Sequence, residues 1–149
     1  MNRRNFLACS SSLALSSDML FAEELSFNGR IKKAVKFGKK PDEILMNKIV
    51  DLGFDGIEGS APGLQVHEMK KVCQEMNLPM HGVVYNKHWK VRLSDPDTQV
   101  RRESRLGLAQ AMKESKGVGG TSVLLVPGRV KGDQETHQDL WDRSIRQIR

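Results

Sequence analysis

Cysteine is nearly missing from this chain of 149 residues, which holds two, Cys9 and Cys73. They form no CxxC pair, and no disulfide framework can be read from them. Aromatic residues are also scarce, at 5%, so few platforms exist on which single-stranded nucleic acid bases would stack. No run of about 18 uncharged apolar residues occurs, and the sequence therefore predicts no membrane span. GxxxxGK[ST] is absent, and no GxGxxG follows the first strand pattern, which removes the phosphate cradles of most nucleotide-binding sheets. A strong charge of one sign is lacking too. Lys and Arg number 24 against 18 Asp and Glu, a net +6, and the excess is spread along the chain rather than gathered in one run. That balance suits anionic or phosphorylated ligands without singling out nucleic acid, and no nucleic acid partner is expected. What remains is 38% apolar and 28% charged residues, the composition of one folded domain.

The first residues stand apart. Arg3 and Arg4 are followed by Phe6-Leu7 and then by a short, weakly apolar, serine-rich stretch. Residues 1–22 resemble a twin-arginine export signal with a cleavage point near Ala22. This predicts an exported, periplasmic protein that loses Cys9 with the signal and keeps Cys73 alone. The alternative is a basic N-terminus on a cytoplasmic protein.

From residue 29 the pattern is regular, and residues 23–149 are read as one domain. A strand is expected over 29–38, with Ile31, Lys33, Val35 and Phe37 on one face. Pro41-Asp42-Glu43 starts a helix through Ile44, Leu45, Ile49, Val50 and Leu52, which Gly53 closes. A second strand spans 54–59. A helix over 64–77 carries Val66, Met69, Val72, Cys73 and Met76 at helical spacing, and Leu78-Pro79 breaks it. The third strand is 80–85. A long connection, 86–96, precedes a helix over 97–116 that is capped by Asp97 or Thr98. Its buried side is read as Val100, Leu106, Ala109 and Met112. Residues 121–126 are a near-continuous apolar run of the kind buried on both faces of a sheet. A last amphipathic helix starts near Asp133. Strand and helix alternate four times, which predicts parallel strands joined by right-handed crossovers, in an open sheet or a barrel.

In such folds the chemistry gathers at the carboxyl ends of the strands. Glu58, at the end of the second strand, is costly there unless it meets a partner, a metal or a ligand. The alternatives are a solvated loop acid or a structural ion pair. His81 shares a face with Val83 and Tyr85 by strand alternation; it is a proton shuttle or sugar ligand, or a satisfied core histidine. The connection 86–97 places His88 beside Trp89 among Lys87, Lys90 and Arg92. There Trp89 can wall off a sugar face while His88 exchanges a proton or a hydrogen bond; the alternative is an exposed basic turn. Pro127-Gly128-Arg129 offers a close backbone approach and a cation for an anion. His67 and His137 are read as surface residues.

Three stretches in this order carry a resemblance: Gly53-Phe54-Asp55-Gly56-Ile57-Glu58; His88-Trp89-Lys90 with Leu93-Ser94-Asp95-Pro96; and Val123 to Gly128. Together they resemble the sugar phosphate isomerase/epimerase family, the xylose isomerase-like barrels that include hydroxypyruvate isomerases and tagatose epimerases. The resemblance implies a (β/α)8 TIM barrel acting on a small sugar or hydroxy-ketone. It implies a divalent metal of the Mn, Mg, Co or Zn kind, held at the ends of strands five to eight, and proton transfer next to a carbonyl. Carried over by position, Glu58, His88 and Trp89 fall in the substrate-facing part of the first half, with His81 a weaker match. Such a barrel takes about 250 residues. The sequence therefore predicts the N-terminal half of one, four parallel βα units without the metal ligands and catalytically incomplete alone. Open sheet edges on that half predict self-association. Two other readings compete: an endonuclease-like barrel that cuts at abasic sites, and a non-catalytic sugar-binding half barrel that assembles as a dimer.

Overall fold

Four strands and four helices alternate along residues 31–149, the part of the chain that the computed structural model describes. The export segment expected over 1–22 lies outside those residues. In order, the elements are β1 (Ala34–Lys36), α1 (Glu43–Asp51), β2 (Gly56–Ala61), α2 (Val66–Glu75), β3 (Met80–Tyr85), α3 (Thr98–Gly117), β4 (Ser122–Leu124) and α4 (His137–Ile148). The sheet order is β1-β2-β3-β4, and each neighbouring pair is parallel. Four parallel βα units are half of a (β/α)8 barrel.

Local chemistry sets the helix starts. The Asp42 carboxylate accepts the Leu45 amide at 3.0 Å, and Asp97 accepts that of Gln99 at 2.7 Å. Thr136 and Asp139 close a capping box at the start of α4. One face of the sheet packs on the helices through Phe37, Ile57, Ala61, Met80, Val83 and Tyr85. Each large apolar side chain buried there contributes roughly 1.5–3 kcal/mol. The other face carries Lys36, Glu58, Ser60, Gly82, Val84, Ser122 and Leu124; Gly82 and Val84 on the central β3 are buried, and the rest are half-buried or exposed. Among the described residues, no helix is long and apolar enough to cross a membrane.

Several expectations are corrected. β1 and β4 are three residues each, shorter than the strands expected at 29–38 and 121–126. β4 is not buried on both faces: it pairs on one side only, and Leu124 is exposed. In α1 the buried residues are Met46 and Ile49, while Ile44, Leu45, Val50 and Leu52 are exposed.

The buried side of α3 is not Val100, Leu106, Ala109 and Met112. It is Ser104, Ala111, Glu114 and Ser115, with Leu106 and Met112 exposed. Close approach to the sheet and to α2 selects small residues there. A side chain on Gly107 would lie 2.8 Å from the Tyr85 hydroxyl, and one on Gly117 would lie 2.7 Å from Val66 Cγ1. Glu114 is buried for a different reason. Its carboxylate accepts the amides of Gly63 at 2.9 Å and Leu64 at 3.0 Å, so it satisfies the backbone just ahead of α2.

Candidate functional site at the carboxyl ends of the strands

The structure divides the four candidate residues between two places. Glu58 is the third residue of β2, which continues to Ala61, so it sits inside the strand rather than at its end. On the face opposite the helices it lies level with Lys36 of β1 and Gly82 of β3. Its Oε1 is 3.6 Å from His81 Nε2. A register shift brings the two together: Ile57 pairs with Met80 but Glu58 with Gly82, which leaves His81 as the extra residue of a bulge. Strand alternation therefore misplaces His81. Val83 and Tyr85 lie in the core, whereas His81 is exposed and reaches Glu58.

His81 also lines a cavity of about 650 Å³ with Lys32, Lys33, Asp55 and Asn77. There the Lys33 amide donates to Asp55 at 2.8 Å and holds its carboxyl below the usual range against the effect of burial, with help from the Lys32 ammonium. This cavity opens at the amino ends of the strands. In parallel barrels that end serves stability rather than chemistry.

His88 and Trp89 lie at the opposite end, in the connection after β3. The His88 side chain belongs to a residue only 5% exposed, and Trp89 is 57% exposed. Their rings meet edge to face, with centroids 4.9 Å apart at 87°. Tyr85 flanks the imidazole on another side at 6.2 Å. Nδ1 of His88 is buried and has no hydrogen-bond partner. Burial, and then the positive charge of Lys36, push the His88 pKa down. At neutral pH the ring is therefore uncharged and offers one donor and one acceptor.

The connection is not an exposed basic turn. Arg92, Leu93 and Ser94 are buried, while Lys87 and Lys90 face solvent. Asn86 anchors its start, donating from Nδ2 to Ser60 Oγ at 3.2 Å and to the Pro62 carbonyl at 3.1 Å. Gly128 has φ +155, and a side chain there would collide with Ser94 Oγ. The glycine foreseen as a close backbone approach thus meets this chain's own loop. The Arg129 carbonyl accepts from Arg92, and its side chain is exposed. Sequence reasoning missed Lys36, Glu135 and Arg143. No local spacing signals them, since Glu135 meets an arginine 43 positions away.

The depressed His88 pKa has a sign that can be tested. Between the folded value and the ordinary value of about 6.5, the unfolded chain binds more protons than the folded one. The stability that neutral His88 supplies is complete above about pH 6.5 and is lost as pH falls through the folded value. Urea unfolding from pH 7.5 to 5 should therefore weaken more in the parent than in His88→Gln. Equal slopes in the two proteins would remove this role.

The divalent metal implied by the family resemblance finds no ligand set here. Among the described residues no three His, Cys, Asp or Glu side chains come together, and Glu58 with His81 makes only a pair. No chemical step is routed through a metal on these residues.

Residues 46–149 match the model of the xylose isomerase-like TIM barrel family. Among solved structures, D-psicose 3-epimerase of Clostridium cellulolyticum H10, with D-tagatose, superimposes with a TM-score of 0.61 at 17% identity. The match covers 79% of this chain and 46% of that one. The 3-keto-D-glucoside 4-epimerase of E. coli gives 0.63 at 17% identity, covering 78% of this chain and 49% of that one. D-allulose 3-epimerase of Methylomonas sp., in complex with D-allulose, gives 0.59 at 16% identity, covering 78% and 45%. At such identities the likeness is one of fold, and the chain spans about half the length of these epimerases. No curated protein matched. The alternation of strands and helices, the parallel sheet and the family match agree: the chain belongs to the xylose isomerase-like TIM barrel family and carries the N-terminal half of that barrel.

Proposed function

We propose that this chain supplies the first half of a sugar isomerase/epimerase-type barrel, and that its carboxyl-end surface around His88 and Trp89 binds a ketose or a similar hydroxy-ketone. One observation carries the reading. A neutral imidazole is buried at the end of β3 with Nδ1 unpartnered, edge-on to an exposed indole. An indole face suits the C–H face of a sugar ring, and an unpaired imidazole nitrogen suits a hydroxyl. The matched epimerase structures include one with D-tagatose and one with D-allulose, which makes these two ketoses the first probes.

Lys36 and Glu58 stand on the adjoining sheet face. In the complete reaction class a proton moves next to a carbonyl. His88 is the group of this chain best placed to hold or pass that proton, because burial keeps it unprotonated. Trp89 and Trp141 are the two tryptophans of the chain, so a Trp141→Phe background isolates Trp89. Its emission should change saturably with D-tagatose or D-allulose and not with an uncharged polyol of different shape. No change with either ketose would sink the reading.

The same proposal includes export through the twin-arginine route, motivated by Arg3-Arg4-Asn5-Phe6-Leu7. Replacing both arginines by lysine should hold the full chain in the cytoplasm. Unaltered localisation of that double variant would refute export by this route.

A further inference from the structure

We propose that the Arg92–Glu135–Arg143 triad, built on the buried Arg92–Glu135 pair, is the positioning device of the candidate sugar site, clamping the loop that presents His88 and Trp89 onto the segment after β4 and onto α4. The proposal rests on the sugar-site reading for its purpose, but its geometry is independent of any sugar.

One carboxylate joins three segments. Glu135 Oε2 accepts from Arg92 Nη1 at 2.9 Å and from the Lys131 amide at 2.9 Å. Its Oε1 accepts from Arg143 Nη1 at 3.0 Å. Arg92 also donates from Nη1 to the Arg129 carbonyl at 2.8 Å and from Nε to Asp95 at 3.3 Å. Arg143 returns to the loop, donating from Nη1 to the Ser94 carbonyl at 3.1 Å, and the Ser94 amide donates to the Pro127 carbonyl at 3.0 Å. The side chains of Arg92 and Glu135 are 5% and 7% exposed, so little of either charge meets water.

Burying such charges is costly, and the pair adds little net stability over apolar residues of the same shape. What it supplies is direction. Each guanidinium gives Glu135 one hydrogen bond and also bonds the loop or the turn after β4, so two planar groups of fixed shape hold those segments at set distances. The loop needs this, because no helix or strand orders it between β3 and α3. Arg92 lies four positions after His88 on the same loop. Gly128 completes the seat: with no side chain it lets Ser94 pack against the turn after β4. Burial works to raise the Glu135 carboxyl, but the Arg92 hydrogen bond, the Lys131 amide and the two guanidinium charges outweigh it and hold it ionised. The triad touches neither His88 nor Trp89 and acts on them through the loop.

The test is the titration of the His88 imidazole, followed by NMR in the full chain, with His67 on α2 as reference. Lys36 at the end of β1 is the charged group that acts on the ring, and none of the variants alters it. In Glu135→Gln the His88 titration should move up toward the ordinary histidine value, because a loosened loop lets water reach the ring. Arg143→Gln should move it less, and Glu135→Asp should return it toward the parent. A merely structural triad would lower the unfolding temperature and leave the His88 titration of the folded protein in place, which overturns the proposal. Should Glu135→Gln fail to fold, Arg143→Gln decides alone, since it keeps the Arg92–Glu135 pair: an upward movement supports the clamp and an unmoved titration overturns it. No sugar enters this experiment, so a site that binds no ketose leaves its outcome intact.

Discussion

Arg92→Ala should remove about 3–5 kcal/mol of folding stability, the usual cost of breaking a buried ion pair from one side. The loss has three sources. Glu135 stays buried with only Arg143 opposite it. The Arg129 carbonyl loses its donor. The space beside Gly128 and Ser94 is left unfilled. Domains of this size are stable by about 5–15 kcal/mol in all, so the change should shift the urea midpoint far to the left. Methionine at both 92 and 135 should cost clearly less than the sum of the two single changes, because neither member of the buried pair is left without the other, while Arg143 and Asp95, which lose a partner, are each 21% exposed and keep contact with water. An Arg92→Ala protein within about 1 kcal/mol of the parent would show that the pair is not buried as described.

His88→Ala should weaken ketose binding by tenfold or more, about 1.4 kcal/mol or above, with the fold retained. The imidazole presents a desolvated nitrogen that no protein group satisfies. Nδ1 lies below the surface, so a sugar hydroxyl must displace part of what covers it to pair with it, and the hydrogen bond then satisfies a polar atom that the fold leaves unpaired. Alanine deletes that bond and also the edge on which Trp89 rests. His88→Gln keeps a polar group and should fall between the two. The readout is the Trp89 emission isotherm in the Trp141→Phe background. A His88→Ala isotherm that overlays the parent would take His88 out of the site.

Much of the architecture was legible in the sequence, for physical reasons that can be named. β3 keeps the expected bounds, Met80–Tyr85, because Leu78-Pro79 ahead of it breaks the preceding helix. Met69, Val72 and Cys73 of α2 are buried as their spacing predicts, since α2 has strands on which to pack. Of the two residues read as the cap of α3, Asp97 or Thr98, it is Asp97.

The failures share one cause: they depend on what lies across the fold. Apolar periodicity chose the wrong side of α3 because that helix approaches the sheet through Ser104, Gly107, Ala111 and Ser115. Alternation placed His81 with Val83 and Tyr85 because a bulge leaves no trace in a strand's own composition. β4 reads as doubly buried because its apolar run carries no mark of being at a sheet edge. At the candidate site, His88 and Trp89 were found as a pair in an unusually long connection. The clamp that holds them was not, since its partners are distant in sequence and each looks like an ordinary surface charge.

The central claim is that the carboxyl ends of this half barrel bind a sugar. Amide chemical-shift mapping of the chain with D-allulose tests it most directly. The account predicts saturable shifts clustered at Lys36, Ser60 and residues 86–95, with residues around the amino-end cavity, such as Lys33 and His81, unmoved. Shifts confined to the amino end, or none at all at saturating ketose, would contradict it.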